Sequence, residues 1–370
     1  ALGFSVGHQT LYNEIMRLHG GTVIEVVDDV CTVSKYHEYN YELVINKNFN
    51  EQEDLREIKS LFEEAVQNRS KLSDLNVVAL SGGLDSRAVA ATFKNTNIPC
   101  RLISYLDKDG SAHRDVEHAQ KIAGSLDMPL ELINLPSPSL SCFESYFNIK
   151  YGLNALDMTY LLNFYKVIEN LSAKPALFTG DGGDKVFPNL TPPSFIKSPN
   201  AIVNYAIRAN AKMSLSLAAK ILRHNKDDLY EQVFSVMQSY PENDWRHKYV
   251  HFIMDNRVAN WLTEGEDRNR CFVTSFSPFY SVKLFNKLMS IPASQKENFA
   301  LYDKFLKSVY SRGYKIPNAN WGFTTSEETK IQWIYFKQNL KHTAIGEAIK
   351  KLSRQKENYL ANLNDHEKAL

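Results

Sequence analysis

The chain has 370 residues, 44% hydrophobic and 23% charged, an ordinary globular composition long enough for two domains or one large one. Lys and Arg number 43 against 42 Asp and Glu, so the formal net charge is +1, and nothing in that balance points to nucleic acid or an anionic membrane. No apolar run approaches the ~18–20 residues of a membrane-spanning helix, and no charged-then-apolar signal segment opens the chain.

In chain order, residues 22–27 and 30–36 read as two strands around Asp28-Asp29, a hairpin pattern. Residues 50–68 read as a helix with Leu55, Ile58, Phe62, Ala65 and Val66 on one face. The pattern then alternates. A buried-type strand covers 77–80 and a helix begins over 86–94. A second strand covers 100–106, and a helix over 115–126 has Val116, Ala119, Ile122, Ala123 and Leu126 on its inner face. A third strand covers 129–135, a helix 159–171 and a fourth strand 175–179. Strands separated by single helices predict right-handed crossovers and an α/β fold: a parallel twisted sheet flanked by helices on both faces. Beyond about Phe195 the strand signal fades into helices rich in aromatics, so a mainly helical C-terminal part is expected, ending in a Lys/Glu-rich helix over 346–370. Four cysteines, Cys31, Cys100, Cys142 and Cys271, are too scattered for a zinc or redox motif, and read as reduced thiols of a cytoplasmic protein.

In such sheets ligands gather outside the carboxyl ends of strands. Two glycine-rich loops fall at such ends: "SGGLDS" at 81–86 and "TGDGGD" at 179–184. Gly82 and Gly83 allow a tight turn whose N–H groups can face an anion, Ser81 and Ser86 add hydroxyls, and the following helix points its positive end at the same place. No Gly-x-x-x-x-Gly-Lys-Ser/Thr phosphate loop occurs in the chain. Asp85 would repel phosphate unless a cation stood between them, and magnesium, which takes carboxylate and phosphate oxygens together, is the natural candidate. Asp184 is then the candidate second metal ligand, and Asp181 falls near the reacting phosphate or acyl group. Alone, "TGDGGD" could equally be a flexible acidic turn.

These two motifs carry a resemblance. "SGGLDS" resembles the pyrophosphatase loop of the N-type ATP pyrophosphatases. Its pairing with "GDGGD" resembles the synthetase domain of the asparagine synthetase family, where the second motif usually reads Gly-Glu-Gly-Ala/Ser-Asp-Glu, and which includes β-lactam synthetases and lasso-peptide cyclases. "SFSPFYSVKLFNKLMSIP" (275–292) is similar to the family's later Arg-x-Pro-Phe-Leu-Asp segment. Residues 1–26 are similar to the end of its glutaminase-like domain and linker.

The resemblance implies three parts: 1–48, a glutaminase-like remnant plus linker; 49–345, the ATP-pyrophosphatase domain; and 346–370, a terminal helix. It implies an AMP-forming amide ligase that adenylates a carboxylate with release of pyrophosphate, then transfers the acyl group to ammonia or an amine. Ser81, Gly82, Gly83, Leu84, Asp85 and Ser86 would hold pyrophosphate and Mg2+, with Asp184 the second metal ligand. Gly180 would lie by the α-phosphate of ATP, and the backbone at 103–106, including Ser104 and Leu106, would meet adenine.

The sequence also departs from the family. Thr274 and Phe276 stand where Glu and Arg usually fall. Asn320, in "NANWGF", takes the place of the lysine thought to assist acyl transfer, so Lys315 is the candidate substitute and Lys304 a further option. Asp181 replaces the usual Glu. The chain opens on Ala1 rather than Met and has no cysteine before Cys31, so the expectation is a trimmed end lacking the glutaminase nucleophile. These departures lean from plain asparagine synthesis toward a specialised amide or macrolactam ligase. A tRNA-modifying thiolase lacks support, for want of Cys-x-x-Cys and basic excess. A degenerate module would bind ATP without releasing pyrophosphate.

Overall fold

The computed structural model describes residues 1–46, 48–107, 110–151, 158–343 and 346. The helix expected over 346–370 therefore lies outside the described residues, Gly346 apart.

The first strands form the expected hairpin, β1 (Thr22–Val27) against β2 (Val30–Lys35), antiparallel, with Val27 opposite Val30. Asp28 and Asp29 have φ of 49° and 63°, the left-handed pair that a two-residue turn needs to match strand twist.

Five parallel strands follow: β3 (Leu75–Ala79), β4 (Arg101–Asp107), β5 (Leu130–Leu135), β6 (Pro175–Phe178) and β7 (Thr274–Phe276), in the order β5-β4-β3-β6-β7. Alternation assigns the faces. Val78, Leu102, Ala176 and Phe178 enter one core, with the helices Glu51–Ser70, Leu84–Asn95, His113–Ser125 and Ala300–Val309. Val77, Ile103 and Leu177 enter another, with Phe164, Tyr165 and Ile168 of the helix Leu161–Glu169. The helix Glu51–Ser70 buries Ile58, Phe62, Ala65 and Val66, and the Asn50 side chain caps it by accepting from the N–H groups of Gln52 and Glu53.

The remainder is mainly helical. A third core joins the helices Pro199–Asn210, Lys226–Ser239 and Trp245–Phe252, and it includes Leu2 and Tyr41. From Phe252 the helix runs into a π-helical stretch, Ile253–Leu262, before resuming as Thr263–Asn269. The N-terminal segment is tied to that stretch. The Gly7 N–H donates to Asn256 Oδ1 at 2.7 Å, Asn260 Nδ2 to the Ser5 carbonyl at 2.7 Å, and Arg17 to the Ala259 carbonyl at 3.1 Å.

Besides the short helices Tyr41–Val44 and Gly183–Val186, two elements differ from the sequence reading. β7 lies inside the region read as helical; at three residues it is too short for alternation to register. The helix Leu140–Lys150 was not anticipated, and only Cys142 and Tyr146 of it are buried. Among the described residues no helix is long and apolar enough to cross a membrane.

Candidate active site

β3 and β6 are adjacent parallel strands, with Leu75 opposite Pro175 and Val78 opposite Phe178. From β3 the chain winds one way through β4 and β5, then returns to place β6 on the other side. Their carboxyl ends flank a topological switch point, where open sheets leave a crevice, and each end carries one of the glycine-rich loops.

The first loop is held from within. Ser81 and Ser86 hydroxyls lie 2.8 Å apart, the Ser81 N–H donates to Ser86 Oγ at 3.0 Å, and the Gly83 N–H donates to Ser81 Oγ at 3.2 Å. The helix Leu84–Asn95 begins with Gly83 at its cap position and no side-chain cap bond, so no side chain caps the first-turn N–H groups that an anion would take up. Beneath, Arg87 is fully buried. It donates to the carbonyls of Gly83 at 2.8 Å, Gly82 at 2.9 Å, Ile316 at 2.6 Å and Pro317 at 3.1 Å. One guanidinium thus fastens the loop to the segment before Asn320. The Ala319 N–H adds a bond to the Gly82 carbonyl at 3.2 Å. A Cβ on Gly82 would meet Ala319 Cβ at 2.6 Å and His118 Cβ at 2.8 Å, so that position is closed to side chains.

The second loop touches the first. A Cβ on Gly180 would lie 2.6 Å from the Ser86 nitrogen, and one on Gly183 would lie 2.6 Å from Asp85 Oδ1. Gly182 takes φ +95°, a conformation that favours glycine. Thr179 donates through its N–H to the Phe276 carbonyl at 2.9 Å and through Oγ1 to Glu266 at 2.6 Å, and Ser277 Oγ donates to the Asp181 carbonyl at 2.5 Å. β7, through Phe276, thus braces the second loop.

This contact gathers carboxylates. Burial, and then the Asp184 charge, push the Asp85 carboxyl up to about 7, against a bond donated by the Tyr302 hydroxyl that favours its anion. Asp181 is also pushed up, by enclosure in the cleft and then by Glu266. Because Asp181 still opens to solvent, water offsets part of that push. Glu266 is buried and accepts from Thr179 and, at 2.5 Å, from Ser275. Lys185 pairs with Asp184 at the mouth. Among the described residues no group of three or more His, Cys, Asp or Glu could hold a metal ion by itself.

Three cavities meet on the first loop. One of about 580 Å³ lies over the ends of β3, β4 and β5, lined by Leu80, Ser81, Ser104, Tyr105, Asp107 and Asp115 among others. One of about 460 Å³ lies between the two glycine-rich loops and the helix Leu161–Glu169. One of about 520 Å³ opens on the far side, past Asp85, Asp184 and Lys185.

Of the sequence candidates, the structure brings together Ser81, Gly82, Gly83, Leu84, Asp85 and Ser86 with Gly180, Asp181 and Asp184. Ser104 is buried in the wall of the first cavity. Leu106 is half-buried in β4, and its neighbours Tyr105 and Asp107 line that cavity instead. Lys315 is exposed and lines none of the three cavities, and Lys304 pairs with Glu51 at 2.6 Å. Asn320 borders the first and third cavities. Sequence reasoning missed Arg87, Asp115, Lys185, Glu266 and Tyr302. Asp115, whose carboxylate accepts the Gly82 N–H at 2.9 Å, offered one signal, an acid at the start of a predicted helix. Tyr302 and Glu266 offered none, being placed only by tertiary packing.

A search of curated proteins found no match. Among solved structures the chain is similar to the NMN synthetase from Francisella tularensis, at 14% identity over 57% of this chain and 95% of that one, with a TM-score of 0.28. The family model described as asparagine synthase matches residues 57–298. The chain belongs to the asparagine synthase family.

Proposed function

We propose that residues 49–345 form an ATP-dependent, AMP-forming amide ligase. The observation that carries this reading is the contact of the two glycine-rich loops at the switch point, with Asp85 and Asp184 facing one cleft. The loop at 81–86 would bind the pyrophosphate portion of ATP through backbone N–H groups and the Ser81 and Ser86 hydroxyls. Adenine would lie against Ser104 and the end of β4 in the 580 Å³ cavity.

The donor set suits magnesium. Asp85 is a half-buried carboxylate crowded by a second one, a conflict that a divalent ion relieves, and Mg2+ keeps several waters and phosphate oxygens, so two carboxylates suffice. Asp85 and Asp184 would hold the ion, which supplies charge neutralisation on the departing pyrophosphate. Tyr302 keeps the Asp85 oxygen oriented toward the cleft. Gly180 lets the second loop approach the α-phosphate, and Asp181 sits where the acyl carbon would be attacked, able to accept a proton from the incoming amine. Arg87 prevents the first loop from relaxing when charge moves.

A specialised amide or macrolactam ligase is favoured over asparagine synthesis by one placement: Asn320, a neutral residue, borders the cavities on both sides of the loop at the position the family gives to lysine. The test is pyrophosphate release with magnesium and ATP over a panel of carboxylates and amines. Release with one pair supports the ligase; ATP binding with release for no pair leaves a nucleotide-binding module. In this reading the enzyme is cytoplasmic, which its scattered free cysteines support.

A further inference from the structure

The 460 Å³ cavity between the loops differs in chemistry from its neighbours. Its floor is the reactive end of the site: Asp85, Ser86, Gly180 and Asp181. Its body is mainly apolar, walled by Met158, Leu161, Phe164, Leu177, Trp261 and Leu262, with Tyr105, Tyr165 and Asn269 as neutral polar groups. Phe164 and Tyr105 also border the 580 Å³ cavity, so an occupant here would lie beside the nucleoside, with its head at the α-phosphate. The size falls within the range of small-molecule sites.

Trp261 and Leu262 reach the cavity from the end of the π-helical stretch Ile253–Leu262. Such stretches are rare and are frequently found at functional sites. Here it is secured by the bonds from Gly7, Asn260 and Arg17 described above.

An aspartate bound by its side-chain carboxylate would leave an ammonium and a second carboxylate in the cavity body. The charged lining groups are Asp85 and Asp181 at the floor, and Arg268. The Arg268 guanidinium is already engaged, donating to Asn269 Oδ1 at 3.1 Å and lying 4.7 Å from the centre of the Tyr146 ring. The second carboxylate of such a zwitterion would be desolvated against Leu161, Leu177 and Trp261, with Asp85 and Asp181 of like charge at the floor and Arg268 already engaged.

We infer that the acyl donor of this site is a small carboxylic acid with an apolar, aromatic or branched body, and that Leu161, Leu177 and Trp261 select it. The inference rests on the ligase reading for the role of the carboxylate. In the adenylation step a carboxylate oxygen of this acid bonds to the α-phosphorus while the bond to the β-phosphate bridging oxygen breaks and pyrophosphate leaves. In the second step the amine nitrogen bonds to the acyl carbon, AMP leaves, and the amine's proton passes to Asp181.

Binding is measured by calorimetry on the full chain, with magnesium and α,β-methylene ATP present, for 3-phenylpropanoate, 4-methylpentanoate and L-aspartate. The expected result is that both apolar acids bind tighter than aspartate by at least about tenfold. Leu161→Arg and Trp261→Ala should each weaken 3-phenylpropanoate about tenfold while leaving affinity for the ATP analogue unchanged, which confirms folding. Aspartate binding as tightly as the apolar acids, absence of binding by any of the three, or affinity that survives both substitutions overturns the inference. An apolar acid that binds with these properties, yet yields no pyrophosphate with ATP and any amine, upholds the cavity assignment and overturns the ligase reading instead.

Discussion

The two glycine-rich loops have similar composition and opposite construction. The loop at 81–86 is built to hold its own backbone: serine hydroxyls bond it internally and a buried arginine fixes its carbonyls from below. The loop at 179–184 is built to present side chains. Asp181 and Asp184 stand exposed at the cleft, while Thr179 and the Asp181 carbonyl are tied back to Glu266 and Ser277. A rigid cradle suits a ligand that always has the same shape, such as pyrophosphate. Projecting acids suit a metal and a proton acceptor. Glycine serves a different end in each loop: in the first it clears room for Ala319 and His118, in the second for Asp85.

The comparison can be broken most forcibly at the metal. Asp85→Ala and Asp184→Ala should each lower pyrophosphate release at least about a hundredfold, and the double variant should be little worse than either single one if the loops act as a unit. An additive double variant in the release assay would separate the loops functionally. Arg87→Met tests the cradle. It leaves four carbonyls without their buried donor, and urea unfolding should show a loss of about 3–5 kcal/mol. Gly183→Ala tests the contact itself: the added methyl would meet Asp85, and magnesium affinity should fall about tenfold, read as the magnesium dependence of release.

The pH behaviour follows from Asp85. A carboxyl raised in the folded state binds more protons folded than unfolded. The metal-free protein should therefore lose stability as pH rises from about 4, the unfolded value, to about 7. Asp85→Asn should flatten that decline in thermal melts. Tyr302→Phe removes a bond that favours the Asp85 anion, so the acid limb of the release profile should move up by roughly half to one pH unit. Lys315→Ala should change turnover less than about twofold, because the side chain is exposed away from the three cavities; a tenfold loss would bring Lys315 into the chemistry.

What could be read in the sequence was what is local. The buried-type apolar run at 77–80, the apolar face of Ile58, Phe62 and Val66, and the Asp28-Asp29 turn each declare themselves within a few residues. The family motifs placed Ser81 to Ser86 and Gly180 to Asp184 for the same reason. Arg87 was next to a motif and still unread, because whether an arginine caps carbonyls or faces water depends on Ile316 and Pro317. Tyr302 reaches Asp85 from the other end of the chain. β7 is three residues whose only signature is its pairing with β6. The surroundings of the second loop are assembled from such distant pieces, whereas the loop at 81–86 lies between a strand and a helix in succession.

The order of the sheet has a further consequence, in time. β3 pairs with β6, Leu75 opposite Pro175, and β6 pairs in turn with β7, Ala176 opposite Thr274. Such non-local parallel pairings close slowly, since long intervening chain must be ordered first. During synthesis the loop at 81–86 emerges well before the strand that braces its partner loop. Asp85 therefore gains its neighbour Asp184, and the repulsion that the proposed cation would relieve, only after β6 has docked. Nascent chains ending before Thr274 should lack nucleotide-dependent protection from protease, which makes magnesium-dependent protection of Asp85 and its loop a late marker of folding.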